Sequence, residues 1–255
     1  MTLGMKKIFA LIAACVPAVA LAAGGNVHLE EHRTDLHDTA SLQRGAQAFV
    51  NYCMGCHSLE HARYNRVAKD LDIPEELMMD NLVFADKKFG ELMTIGMDKA
   101  DSKRWFGAAP PDLTLVARVR RPDWVYTYLL SFYEDSTRPW GVNNVVFKDV
   151  GMPNVLGHLQ GRQVKGTAPV AVGFDTLTGQ EILEEHDDVL YLAEEGTLNE
   201  EEFEKLVFDL VNFLTYMAEP MALERQSLGW KVLLYLTILL VLVYLLNKEF
   251  WRDIK

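Results

Sequence analysis

The sequence predicts a mainly α-helical domain with long loops, followed by one transmembrane helix at the C-terminus. Three observations carry that prediction. Apolar residues recur at helical spacing in several stretches. Gly, Pro and Asn gather between those stretches. Residues 228–247 are apolar on every face. A chain of 255 residues is long enough for one or two domains with a sizeable core.

The ends carry topology. Lys6 and Lys7 precede an uncharged run from Ile8 to Ala23, and Ala20-Leu21-Ala22 supplies small residues for cleavage. This is a secretory-signal pattern, assigned to residues 1–22. Ile12-Ala13-Ala14-Cys15 also looks like a lipoprotein cleavage box, and an uncleaved anchor is the plainer alternative. At the other end, Leu228 to Asn247 contains a single charge, Lys231, close enough to its edge to snorkel. That length matches the roughly 20 apolar residues a spanning helix needs. Trp230, Phe250 and Trp251 suit interfacial belts. A buried core helix is the rival reading, and hydrophobicity all round argues against it. Lys248, Arg252 and Lys255 follow, so the positive-inside tendency puts residues 248–255 in the cytoplasm. The signal puts residues 23–227 on the opposite, periplasmic side.

Within that domain, Ser41 to Tyr52 reads as a helix, as do Pro74 to Phe84, with Pro in its first turn, and Lys87 to Met97. Phe106 to Leu115 is Pro-rich and predicts a loop. Pro122 to Tyr133 predicts a helix, with Trp124, Tyr128, Leu129 and Phe132 at helical spacing. Residues 134–180 predict long loops with a short hairpin at Val170 to Gln180. Thr197-Leu198-Asn199-Glu200 reads as a capping box opening a helix from Asn199 to Ala218, which Pro220 interrupts. Three histidines, His28, His32 and His37, lie in the leading segment without a compact ligand pattern. They point to no metal site.

The charge balance is acidic: 36 Asp and Glu against 25 Lys and Arg, for a net of −11. The two ends hold six basic but only two acidic residues, so the middle is more acidic still, with a net of −15. Such a surface repels nucleic acid and steers a basic partner, solubility being the plainer reason for it.

Chemistry enters at Cys53-Met54-Gly55-Cys56-His57. Two thiols two residues apart can each add to one vinyl group of a haem, and the following histidine then lies beneath the iron. With Cys15 in the signal, only Cys53 and Cys56 remain, so a four-cysteine zinc site is impossible. A redox dithiol needs no adjacent His. One motif predicts one covalently bound haem c.

A second axial ligand decides what the iron does. A Met/His pair raises the potential and closes the iron, which suits electron transfer. Met78, Met79, Met93 and Met97 fall on predicted helices, where core filling is the ordinary role of Met. Met152 stands in Val150-Gly151-Met152-Pro153, where Gly and Pro hold an irregular backbone that could press a thioether onto iron. His158 is its rival, and an open sixth position is a further possibility. Ala109-Pro110-Pro111-Asp112-Leu113 is a proline loop that can offer a carbonyl, at Pro111, to the free N–H of His57. Arg118, Arg120 and Trp124 follow in one stretch and can serve haem propionates, or else be solvated.

Taken in order, these pieces resemble the cytochrome c1 family, the haem subunit of ubiquinol:cytochrome c reductase (the cytochrome bc1 complex). The resemblance runs from Arg44-Gly45 and the Cys53–His57 motif through Pro110-Pro111-Asp112-Leu113 and Arg118-Val119-Arg120. It continues with Gly151-Met152-Pro153 and with Phe213-Leu214 and Ala218-Glu219-Pro220 before the anchor. It implies a cytochrome c-like helical haem domain with His57 and Met152 as axial pair and Arg120 at a propionate. Trp124 stands where the family often has Tyr. The family's Asn-Pro-Tyr-Phe-Pro-Gly stretch is reduced here to Asn143-Asn144-Val145-Val146-Phe147. The implied partners are cytochrome b, a Rieske iron–sulfur subunit as donor, and a soluble or tethered cytochrome c as acceptor. Two other functions fit the haem motif alone: a stand-alone membrane-tethered cytochrome c serving a terminal oxidase, and a haem sensor with an open iron. The gap from the motif to Met152 and the proline loop argue against the first.

Overall fold

The computed structural model describes residues 27–174, 179 and 181–254; the predicted signal and Cys15 lie outside them. Helix α1 (Thr39–Ala48) starts at Asp38, whose carboxylate accepts from the Ser41 N–H at 2.9 Å. It runs directly into one π-helical turn, Phe49–Cys53. The predicted helix at 41–52 is therefore present, with a widened last turn of the kind frequent at functional sites.

The long helix α8 (Glu200–Ala218) forms the other half of the core. Its capping box joins Asn199 to Glu202, so the cap falls on Asn199 and not on Thr197. Phe203, Val207, Leu210, Val211, Phe213, Leu214 and Met217 are buried along it. Side chains of this size each contribute about 1.5–3 kcal/mol when fully removed from water. Helix α1 crosses α8 at Gly45, where a Cβ would collide with the Asp209 carbonyl and Phe213. Beside the crossing, Arg44 donates to both carboxylate oxygens of buried Asp209, at 2.6 and 3.0 Å. Burial alone would raise the Asp209 pKa. The hydrogen bonds from Arg44 and Ser41, with the Arg44 and Lys205 charges, outweigh it and hold the carboxylate low.

Short elements fill the space between. In chain order they are β1 (Leu59–Arg63), α2 (Tyr64–Asp70), α3 (Glu75–Asn81), β2 (Leu92–Met93), α4 (Lys99–Phe106), α5 (Val116–Arg120), α6 (Pro122–Leu130), β3 (Phe132–Glu134), β4 (Val142–Asn144) and α7 (Gly157–Gln160). A hairpin of β5 (Gly161–Phe174) and β6 (Glu181–Glu195) precedes α8. Among the described residues the strands make only antiparallel two-stranded pairs, β1–β2, β3–β4 and β5–β6.

Three sequence expectations change. Lys87 to Met97 is not a helix: Leu92 and Met93 pair with β1, and the Glu91 and Phe89 carbonyls accept from Tyr64 and Asn65 N–H. Glycines at 90 and 96 and left-handed backbone at Ala85 and Asp86 break the helix that the apolar spacing suggested. The helix from Pro122 stops at Leu130, because Phe132 to Glu134 pair with Val142 to Asn144. The hairpin is far longer than Val170 to Gln180 and takes in the first part of the acidic stretch that follows Glu181. Its base turns at Gly161, φ 104°, where a Cβ would strike the Glu194 carbonyl. Four short helices, α2, α4, α5 and α7, were not expected, and α4 is the longest of them. Its signal is in the chain nonetheless, with Asp98 capping Ala100 and Asp101 N–H and left-handed Gly107 closing it.

Glu219 to Met221 separate α8 from α9 (Ala222–Phe250), whose apolar window has mean hydropathy 2.2 and no buried residues. It starts ahead of the predicted Leu228. Glu219 pairs with Arg118 of α5 at 3.4 Å and with Arg225 of α9 at 2.6 Å, tying the domain to the first turn of the anchor.

Candidate haem site

The π turn and a tight turn behind it present the Cys53–His57 motif. The Met54 N–H reaches the Phe49 carbonyl, and the Cys56 and His57 N–H both reach the Cys53 carbonyl. Both cysteines are free thiols; Cys53 is buried and Cys56 partly so. Burial, then the neighbouring Cys56, pushes the Cys53 thiol up to about 12.

His57 is buried, and its Nδ1 lies 2.7 Å from the Pro111 carbonyl oxygen. A carbonyl only accepts, so the proton is on Nδ1 and the Nε2 lone pair is bare. Burial pushes the imidazole pKa down against the opposing pull of that carbonyl and of the Asp112 charge, which keeps the ring neutral. The proline loop is itself locked. Leu113 N–H donates to the Ser58 carbonyl at 3.0 Å, and Asp112 accepts from Glu60 N–H at 2.6 Å and Thr114 N–H at 3.0 Å. The residues next to His57 thus build the loop that orients it.

Helix α6 forms a second wall. Trp124 stacks on Tyr128 with ring centroids 5.1 Å apart, and the Arg120 guanidinium lies 5.0 Å from the Trp124 ring centre. Arg120 is exposed and Trp124 partly so. The Tyr128 hydroxyl donates to Met152 Sδ at 3.4 Å. Met152 is partly exposed on an irregular segment. Of the rivals for the sixth ligand, Met78 and Met93 are buried in the core, Met79 and Met97 are partly exposed, and His158 is exposed beside Tyr52, the residue before Cys53. Sequence reading missed Tyr128, treated as a helix-face residue, and the buried pair Asn143 and Asn144. Their roles come from contacts at Met152 and along its loop, which no local pattern encodes.

The donor set fits a covalent haem: two unpaired thiols, an adjacent histidine with one nitrogen fixed and the other bare, and a thioether on a loop. Fold and site together define a membrane-anchored c-type cytochrome. The chain matches the Cytochrome C1 family over residues 30–89 and 92–254. It is 52% identical to cytochrome c1 of Allochromatium vinosum over 251 residues, 98% of this chain and 99% of that one. It is 41% identical to the ammonia monooxygenase gamma subunit of Nitrosomonas europaea, over 98% and 99% of the two chains. With cytochrome c1 of Rhodospirillum rubrum it shares 28% identity over 96% and 97%. The chain belongs to the cytochrome c1 family. It carries one covalently bound haem c and is the electron-transferring haem subunit of the cytochrome bc1 complex.

Proposed function

We propose that this subunit takes single electrons from a Rieske iron–sulfur protein, beside cytochrome b, and hands them to a soluble or tethered cytochrome c. Cys53 and Cys56 would hold the haem through thioether bonds to its vinyl groups. His57 and Met152 would ligate the iron. The bound haem supplies reversible one-electron carriage at iron. The protein residues tune and hold it. The Pro111 carbonyl keeps the His57 proton on Nδ1 and strengthens Nε2 as a donor. Met152 would raise the potential and leave no open position for exogenous ligands. Arg120 and the Trp124 indole N–H are donors for the propionates. Residues 23–227 lie in the periplasm, residues 228–247 span a bacterial-type inner membrane, and residues 248–255 are cytoplasmic.

The observation that carries this reading is His57 pinned through Nδ1, directly after two free thiols. The test is the membrane complex purified through this chain. The expected reduced spectrum has c-type and b-type bands in a stoichiometric ratio, with slow or absent carbon monoxide binding. A chain that migrates alone on a native gel would be a tethered carrier. Rapid carbon monoxide binding by the unaltered protein would mean an open iron.

A further inference from the structure

Asn143 and Asn144 are 4% and 1% exposed, an unusual depth for two adjacent amides. Each makes hydrogen bonds through both its amide oxygen and its amide nitrogen. Asn143 Oδ1 accepts from the N–H groups of Asn144 and Asp149, both at 2.9 Å, and its Nδ2 donates to Asp135 Oδ2 at 2.9 Å. Asn144 Oδ1 accepts from Val146 N–H at 2.9 Å and Phe147 N–H at 3.0 Å, with Ser131 Oγ at 3.5 Å. Its Nδ2 donates to the Tyr128 carbonyl at 2.8 Å. The two side chains thus hold three backbone N–H groups, those of Val146, Phe147 and Asp149, in the segment that leads from β4 to Met152. Val145 N–H still reaches the Ser131 carbonyl at 3.2 Å; beyond it no strand or helix ladder holds the segment up to Met152.

The far end is clamped in the same way. Asp149 has φ 63°, a left-handed backbone costly for most residues other than glycine and tolerated by Asp. Asn143 holds its N–H, and Arg138 holds its carbonyl at 2.8 Å and its carboxylate at 3.1 Å. Tyr128 closes the circuit. Its carbonyl takes the Asn144 amide and its hydroxyl meets Met152 Sδ. One residue of α6 therefore contacts both the base of the loop and its thioether. A buried polar network of this kind favours one conformation, and removing a member leaves unsatisfied groups behind.

We propose that Asn143 and Asn144 are positioning residues for the Met152 thioether, holding its loop in the one conformation that keeps the sulfur available as an iron ligand. The inference rests on Met152 being the distal ligand.

The test uses the haem-loaded membrane complex. Asn143→Ala and Asn144→Ala should keep covalent haem, measured as the pyridine haemochrome. They should lose the weak far-red sulfur-to-iron band of the oxidised protein. After reduction they should bind carbon monoxide about tenfold faster or more, the change expected when one or two net hydrogen bonds leave the closed loop. Asn144→Asp keeps the acceptor oxygen but not the donor to Tyr128, and should fall between native and alanine rates. Met152→Leu is the reference. If Met152→Leu keeps the band and still excludes carbon monoxide, the ligand assignment fails and the inference fails with it. If Met152→Leu loses both while the alanine variants keep both, the assignment stands and the positioning role is overturned. Where the alanine variants do not accumulate, Asn144→Asp decides alone: a native binding rate overturns the proposal.

Discussion

Thr39 to His57 reaches the haem site as a helix, a π turn and a tight turn, each hydrogen-bonded to near neighbours in the chain. Tyr128 to Met152 reaches it through side chains that bond across many residues: Asn144 to the Tyr128 carbonyl, Arg138 to Asp149, Tyr128 to Met152. The attachment side is local and rests on one apolar helix crossing. The thioether side is assembled, and rests on a polar network. The first can be damaged by steric change far from the haem. The second can be retuned by removing a single hydroxyl.

The largest effect expected from breaking this contrast is at the crossing. Gly45→Val would force α1 off α8, at a cost of about 3 kcal/mol, the upper end for overpacking. Haem-stained gels of membranes should show little or no haem-bearing subunit; a native amount would mean that α1 does not need the close approach. Arg44→Ala acts at the same place with less force. It leaves the buried Asp209 carboxylate with only the Ser41 hydrogen bond and Lys205 at 3.5 Å, and should lower stability by about 1–2 kcal/mol after allowing for the solvent access of Arg44. Thermal unfolding of the purified complex, with the haem spectrum unchanged, is the measurement.

On the other side the expected change is in potential, not stability. Tyr128→Phe removes the donor to Met152 Sδ, so the sulfur regains electron density and the oxidised iron is favoured. Midpoint potential should fall by about 20–60 mV, the equivalent of one neutral hydrogen bond in a one-electron couple. A redox titration with no shift would separate the hydroxyl from the ligand.

The smallest effect is at His32, which ties the leading segment to the core. Its ring stacks on Phe208 at 4.6 Å, with Nε2 3.2 Å from the Phe208 carbonyl and Nδ1 3.1 Å from Thr34 Oγ1. Burial lowers its pKa below 6.5, against the Phe208 carbonyl and the Asp123 charge. The unfolded chain then takes up the proton first as pH falls. Stability from this group is therefore fully present above pH 6.5 and is lost as pH drops through 6.5 towards the depressed folded value. His32→Gln should flatten that part of the melting-temperature profile; an unchanged slope would assign it to other groups.

Legibility in the sequence followed the same division. The helix at Asn199 to Ala218 and the anchor were readable because their apolar periodicity continues over many turns, and the anchor has no polar face at all. The haem motif was readable because its chemistry demands contiguous residues. The stretch Lys87 to Met97 misled because its apolar spacing suits a helix while its hydrogen-bond partners lie at Leu59 to Asn65. The hairpin was underestimated for the same reason, since Gly161 pairs with Glu195 across the whole intervening segment. Asn143 and Asn144 look like ordinary turn residues in sequence, and the departure from the family's Asn-Pro-Tyr-Phe-Pro-Gly pattern made them look like a degraded motif. Their burial is what makes them a network.

Sequence by itself determined the covalent haem motif, the helical class and the presence of one apolar C-terminal helix, because each is written in residues close together along the chain. Tertiary structure alone decided which nitrogen of His57 is free, which tyrosine places its hydroxyl on the Met152 sulfur, and what clamps the loop that carries it. Those features depend on groups far apart in sequence whose hydrogen bonds gain their value only once burial has removed the competing water.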